Sequence, residues 1–279
     1  MEHRQENQTM DGKFIPMTSL TNGLVQQVAE GVFSYTIQIV NIAMVRTSND
    51  FVLIDTGMPE SEEKIFEIVE EIFGENAKPE AIILTHGHFD HVGSIEKLLT
   101  QWDVPVYAHP LEIPYLTGQK NYPDPDGTVE GGLVAKISPM FPNEGVHLGN
   151  HVKPLPDNGE LPYLSEWKWI HTPGHSDGHI SLFREKDRTL IAGDAFITVK
   201  QDSLAKVLVQ EREVNGPPRY LTTDWQLAKK SVEKLAALHP RVAVTGHGLP
   251  MEGEELEQGL TKLVNEFDTI AVPDYGKFV

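Results

Sequence analysis

No cysteine occurs in the 279 residues. Disulfides and thiolate ligands are therefore excluded, and any metal site must be built from nitrogen and oxygen donors. Long apolar runs are missing too: none approaches the ~18 residues of a membrane span. The N-terminal stretch MEHRQENQTM is polar and lacks the apolar centre of an export signal. A cytoplasmic protein with no membrane partner is the expectation. Positive charge is scarce, with 23 basic residues against 41 acidic ones and a net charge of -18. Such a surface repels phosphate backbones, which removes nucleic acid as the expected partner and leaves a small-molecule substrate. What is present is ordinary: 39% hydrophobic and 23% charged residues favour a packed core over a disordered chain.

Residues 1–23 read as a lead-in and 24–279 as one unit. Apolar and β-branched residues dominate from 24 to 55, in runs at 39–45 and 51–54 that predict successive strands, with Asn49-Asp50 as a turn. Within 60–73, Ile65, Ile68, Val69 and Ile72 fall at helical spacing, and acids crowd the first turn. Residues 81–84 and 104–108 read as strands, and 92–102 as one helix. Pro and Gly are frequent across 110–165, as at Pro114, Pro123, Pro125, Gly131 and Gly132, so irregular backbone is expected there. A second irregular segment, 197–221, surrounds Gly216-Pro217-Pro218. Strands are expected at 167–170, 179–183, 189–192 and 241–244, and helices at 224–238 and 252–267.

The densest chemistry is Thr85-His86-Gly87-His88-Phe89-Asp90-His91, with four metal-capable side chains within six residues. His86 and His88 are two apart, so an extended segment points both to one side. Asp90 and His91 follow as the chain turns into a helix. Three weaker segments accompany it: Thr172-Pro173-Gly174-His175, whose Pro-Gly marks a tight turn, Ala192-Gly193-Asp194, and Thr245-Gly246-His247-Gly248. Their placement is in phase. Asp55 follows FVLI, His86 follows AIILT, His175 trails WKWI, Asp194 follows TLIAG and His247 follows RVAVTG. Five apolar strands each deliver a polar residue past the C-terminal end, where sites assemble in α/β sheets. His3, His109, His147, His151, His171 and His239 lack that context and are assigned surface or structural roles.

As a set, His-x-His-x-Asp-His, the Pro-Gly-His turn, Gly-Asp-Ala, Thr-Gly-His and the upstream Asp55-Thr56-Gly57 resemble the metallo-β-lactamase-fold superfamily, over about residues 24–250. The resemblance implies an α/β fold, a four-layer αβ/βα sandwich with two facing mixed sheets. It implies two divalent metal ions, zinc first, with iron or manganese as alternatives. His86, His88 and His175 would hold one ion, Asp90, His91 and His247 the other, and Asp194 would bridge them. Asp55 would either orient a ligand from behind or cap its own turn. Two ions ~3.5–4 Å apart can share a hydroxide that attacks a carbonyl, with Asp90 orienting it as a catalytic group. His179 is expected to pack, or else to touch substrate. Arg219 and Tyr220 are expected on a loop surface, or else as anion anchor and proton donor. Met140, Phe141, Phe196, Leu204, Val207 and Leu208 would wall an apolar pocket or pack core.

The expected reaction is hydrolysis of an ester, thioester, lactone or amide bond in a small molecule. Only 32 residues follow His247, short of the part that grips glutathione in glyoxalase II-like thioesterases. Ile197 stands where lactone-hydrolysing relatives place a tyrosine. His88 stands where flavodiiron-type relatives place Glu. One alternative is an iron-dependent sulfur dioxygenase holding a single iron on His86, His175 and Asp194. Another is a non-catalytic, metal-stabilised binding module.

Overall fold

Strands that follow one another in the chain mostly lie side by side. In the computed structural model, which describes residues 18–130, 132–200 and 211–279, β1 (Val25–Ala29), β2 (Val32–Ile37), β3 (Val40–Arg46) and β4 (Phe51–Ile54) form an antiparallel meander. β5 (Ala81–Ile83), β6 (Val106–Ala108) and β7 (Val152–Pro154) then add in parallel, so seven strands run in sequential order across the first sheet. The second sheet contains β8 (Trp167–His171), β9 (Ile180–Arg184), β10 (Thr189–Gly193), β13 (Val242–Thr245) and β14 (Met251–Glu252). Its order is β14-β13-β10-β9-β8, with only β10 and β13 parallel. β11 (Ile197–Val199) and β12 (Arg212–Asn215) make a separate antiparallel ribbon.

Alternation along the strands decides the layers. In β3, Ile42 and Met44 enter a core shared with the helices Glu62–Phe73 and Ile95–Gln101, whereas Ala43 and Val45 enter a core shared with the other sheet. β4 divides likewise, Phe51 and Leu53 to the helices, Val52 and Ile54 to the centre. In the second sheet, Leu190 and Ala243 pack against the helices Trp225–Ala236 and Gly253–Asn265, while Ile191 and Val244 reach the central core. Three cores separate four layers, the sandwich with two facing mixed sheets that the family resemblance implies. Each long helix closes its layer with an apolar stripe, as Ile65, Ile68 and Val69 do, or Leu256, Leu260 and Leu263. Burying each such side chain fully contributes roughly 1.5–3 kcal/mol.

The differences from the sequence reading are local. The helix expected over 92–102 is two pieces, Phe89–Val92 and Ile95–Gln101. The break comes where Gly93 donates its N–H to Gly57 O at 2.9 Å and the Ser94 hydroxyl donates to Met58 O at 2.7 Å, tying the chain back to the end of β4. The segments expected to be irregular contain short regular pieces: the helices Ile113–Leu116 and Gly132–Ile137 and strand β7 in the first, and β11 and β12 in the second. Residues 18–23 of the lead-in are held by Ser19, which donates from both N and Oγ to Gln38 O. Residues 1–17, His3 among them, lie outside the described part. No described helix is long and apolar enough to cross a membrane.

Candidate metal centre

Four strand ends converge on one buried cluster. His86 and His88 follow β5, and the turn into the helix Phe89–Val92 places Asp90 and His91 beside them. His175 comes from the Pro-Gly turn after β8, Asp194 from the end of β10, and His247 from the turn after β13. All seven side chains are buried. Their ligand-capable atoms group as His86 with His88 and His175, as Asp90 with His91 and His247, and as His86 with His91 and Asp194, each within 4.8 Å. Asp194 Oδ2 is the hub, 3.5 Å from His91 Nε2, 3.4 Å from His175 Nε2 and 3.3 Å from His247 Nε2. Asp90 Oδ2 lies 3.3 Å from the same His247 nitrogen. His88 faces His175 Nε2 with its Nδ1, at 2.9 Å.

The outer partners decide which ring nitrogen is free. The Thr85 hydroxyl donates to Asp55 Oδ2 at 2.7 Å, so it accepts from His86 Nδ1 at 3.0 Å. Thr222 donates to Pro218 O at 2.7 Å and therefore accepts from His175 Nδ1 at 3.1 Å. His91 Nδ1 donates to Asp55 Oδ2 at 2.9 Å, and His247 Nδ1 donates to Ile39 O at 3.0 Å. All four rings thus carry a proton on Nδ1 and turn Nε2 inward, as the atom left to bind a cation. Asp55, expected either to orient a ligand from behind or to cap its own turn, bonds across the fold to Thr85 and His91 instead of within its own turn. Its Oδ1 accepts from Thr85 N at 2.7 Å while its Oδ2 braces His91 directly and His86 through Thr85. Asn41, which the sequence did not mark, donates to Gly248 O at 2.5 Å and Thr245 O at 2.9 Å and pins the turn bearing His247.

Four atoms of the cluster have no hydrogen-bond partner although fully buried: His86 Nε2, His91 Nε2, Asp90 Oδ1 and Asp194 Oδ1. Leaving a buried polar group unsatisfied costs about 1–3 kcal/mol, and more for a charged one. Four such atoms in one site, all nitrogen and oxygen donors, are what a divalent cation satisfies. Gly246 backs this space, since a Cβ on it would lie 2.0 Å from Asp194 Oδ1. The residues present therefore fit a divalent metal centre.

Protonation follows from the same crowding. Burial pushes His88 down to about 4, and His86 and His175 well below their ordinary value. Burial also acts downward on His91 and His247, but the carboxylates of Asp194 and Asp90 outweigh it. They hold His91 well above its ordinary value and His247 up to about 10. Without a cation, then, these two rings are imidazolium at pH 7 while His86, His88 and His175 are neutral. Since a ligating nitrogen must be unprotonated, filling the site at pH 7 is expected to release about two protons per chain. Calorimetry in buffers of different ionisation enthalpy reads that number, and binding without proton release would contradict it.

His179 is buried and fully engaged. Its Nε2 accepts from Asp194 N at 2.9 Å and its Nδ1 donates to Thr172 Oγ1 at 2.8 Å. Burial pushes it down to about 3. Of its two expected roles it has the packing one, as a neutral prop under Asp194. Tyr220 corrects the expectation of a loop surface: it is 6% exposed, and its ring meets Phe141 edge-on with centroids 5.7 Å apart. Burial raises its phenol well above the ordinary value, and the charges of Asp90 and Asp194 add to that. Arg219 also departs from the surface reading, donating to Ala271 O at 3.0 Å and Ile270 O at 2.8 Å. It ties down the end of the short helix Phe267–Ile270. Phe141 packs beside Tyr220, Phe196 lies in the helix-side core, and Met140 is exposed. Leu204, Val207 and Leu208 fall outside the described residues. His109 and His171 stack on each other at 4.2 Å; they, His147, His151 and His239 belong to none of the ligand groupings.

A four-layer sandwich with this His/Asp centre at its strand ends defines a metallo-β-lactamase-like protein. The chain belongs to the metallo-β-lactamase superfamily, whose sequence profile matches residues 35–247. It is 47% identical to the probable metallo-hydrolase YflN of Bacillus subtilis (strain 168) over 264 residues, 94% of this chain and 100% of the relative. It is 31% identical to a second probable metallo-hydrolase of that bacterium, YybB, over 185 residues, 64% of this chain and 74% of the relative. Among solved structures, TTHA1623 in a di-iron-bound form aligns with a TM-score of 0.52 and 27% identity, covering 76% of this chain and 89% of that one. A β-lactamase domain protein from Burkholderia ambifaria shares the fold with a TM-score of 0.60 at 18% identity, covering 88% and 77% of the two chains.

Proposed function

We propose that this chain is a dinuclear metallohydrolase that cleaves an ester, thioester, lactone or amide bond of a small molecule. The supporting observation is that the second ligand set, Asp90, His91 and His247, is as closely gathered as the first, His86, His88 and His175. Asp194 Oδ2 lies within 3.5 Å of rings from both sets, which suits it to bridge two cations. A single-iron dioxygenase site would need only part of this. The metal is zinc or iron on this reading, since nitrogen and oxygen donors accept either and the relative TTHA1623 holds a pair of irons.

When bound, such a pair supplies a water of lowered pKa and a Lewis-acid contact for a carbonyl oxygen. The protein's own groups do the rest. Asp90 engages His247 through Oδ2, and its unpartnered Oδ1 is placed to accept a proton from the attacking water. His179 fixes the backbone of Asp194, which would steady the carboxylate that faces both ligand sets. Tyr220 keeps its proton at all ordinary pH and serves as a hydrogen-bond donor to the substrate oxygen that gains charge. The apolar residues Val40, Met58, Phe89 and Phe141 around it exclude water from that side.

Tyr220→Phe is expected to lower kcat about 10- to 100-fold with metal content unchanged, the worth of a hydrogen bond to a charged group. Equal kcat in the variant would remove Tyr220 from the mechanism. The reaction class is tested by offering the purified, metal-loaded protein esters, thioesters, lactones, amides and β-lactams, with and without chelator. Chelator-sensitive turnover of one class supports the reading. Oxygen consumption with a persulfide and no hydrolysis of any of them would overturn it.

A further inference from the structure

The Pro-rich segment after β6 carries a buried carboxylate that the reaction does not use. Glu112 is fully buried, and among the described residues no Lys, Arg or His forms an ion pair with it. A carboxylate in that position is costly unless its lone pairs are filled by donors. They are filled, and the distribution is specific. Oε1 accepts from Ser176 Oγ at 2.8 Å and from Gly178 N at 2.9 Å, on either side of Asp177 in the loop that follows His175. Oε2 accepts from Gly87 N at 3.0 Å, between His86 and His88, and from the Tyr122 hydroxyl. One oxygen serves each ligand-bearing loop.

Tyr122 extends the brace. Its ring lies against His88 with centroids 4.5 Å apart and stacks on Tyr115 at 4.0 Å. Its hydroxyl is also within 2.9 Å of Gly87 N. The two loops so joined meet at the 2.9 Å approach of His88 Nδ1 to His175 Nε2. No strand pairing joins these loops, since β5 and β8 belong to different sheets; a backbone link between the two segments is Ile180 N donating to Thr85 O at 2.9 Å. Besides that bond, Glu112 joins both sides of the sheet-to-sheet seam through its side-chain oxygens and so bears on the spacing of the two nitrogens.

We propose that Glu112 is a positioning residue that sets the gap between the His86–His88 loop and the His175 loop, and thereby the affinity of the cation site those three histidines form. The inference rests on the dinuclear reading above. Partners behind first-contact ligands commonly change metal affinity about 10- to 100-fold when altered. Glu112→Gln keeps size and shape but turns an NH2 donor towards N–H and O–H donors on one of the two loops, so that loop is released.

The test is a cobalt(II) titration of the full-length, chelator-stripped protein, reading stoichiometry, affinity by chelator competition, and the visible spectrum of the bound ion. Wild type is expected to take up about two cobalt ions per chain. Glu112→Gln is expected to weaken one site about 10- to 100-fold and alter its spectrum, with the other site unchanged. Tyr122→Phe and Ser176→Ala, which each remove one donor, are expected to weaken the same site by about 3- to 10-fold. They carry the test if Glu112→Gln does not fold. Folded variants that bind both ions with wild-type affinity and spectrum would overturn the proposal, leaving Glu112 a brace of the fold alone. Failure of the wild type to bind cobalt would instead overturn the dinuclear reading, and this inference with it.

Discussion

Asp194→Ala folds, but it retains little metal and its hydrolytic rate falls by at least about 1,000-fold. The expectation follows from the position of its carboxylate, whose Oδ2 lies within 3.5 Å of three imidazoles while its Oδ1 has no partner. Removing one electrostatic contact from an active site costs on the order of 10²–10³ in rate, and this group serves both proposed cation positions. Its loss also leaves His91 and His247 without the negative charge that holds their pKa values up. The fold is expected to survive, since β10 keeps its pairing on both sides through Leu190 and Ile191. Metal analysis after dialysis and turnover under saturating metal check the two halves of the claim. Turnover near wild type would contradict it.

The second large effect is expected from the smallest change. Gly246→Ala adds one methyl group, and that carbon would stand 2.0 Å from Asp194 Oδ1 and 2.7 Å from His91 Cε1. Neither neighbour can retreat easily, because Asp194 N is bonded to His179 and His91 Nδ1 to Asp55. Gly246 itself is held on both sides, its N donating to Gly193 O at 2.8 Å and its O accepting from Asn41 N at 2.7 Å. The methyl therefore occupies the space where the donor atoms converge. Metal affinity is expected to fall by more than about 100-fold, with a stability cost of about 1–3 kcal/mol typical of overpacking. Isothermal titration with zinc, alongside thermal melting of the chelator-treated protein, separates the two effects. A variant that melts lower but binds zinc normally would show that the methyl is accommodated elsewhere.

Much of this was legible before any coordinates. β4, β5, β10 and β13 are runs of apolar residues ending on a polar one, so burial and site placement share a single sequence signal. The four layers were implied by the family resemblance, and the structure shows the alternation that builds them, as in Ile42 and Met44 against Ala43 and Val45. β7, β12 and β14 escaped because, short as β4, β5 and β13 are too, they lack an apolar run: their sequences are VKP, REVN and ME. The helix break at Gly93 and Ser94 escaped because it depends on a tie to Gly57 and Met58.

The supporting residues of the site were harder to see for a related reason. Thr85 and Thr222 select the ring tautomer, yet a threonine is an ordinary residue at a strand end or a turn. Glu112 sits among prolines in a segment without periodicity, and its partners at 87, 122, 176 and 178 are scattered along the chain. Tyr220 follows Gly216-Pro217-Pro218, which reads as exposed turn. Its burial comes from a core cluster drawn from distant parts of the chain, Phe141 among them. Donor atoms announce themselves by type and phase, whereas the groups that aim them are defined only by the folded contacts.

Anomalous diffraction from crystals of the metal-loaded protein tests the central claim most directly. The account predicts two peaks, one enclosed by His86, His88 and His175 and the other by Asp90, His91 and His247, with the Asp194 carboxylate between them. No peak at the strand ends, or metal bound only to other residues, would contradict it.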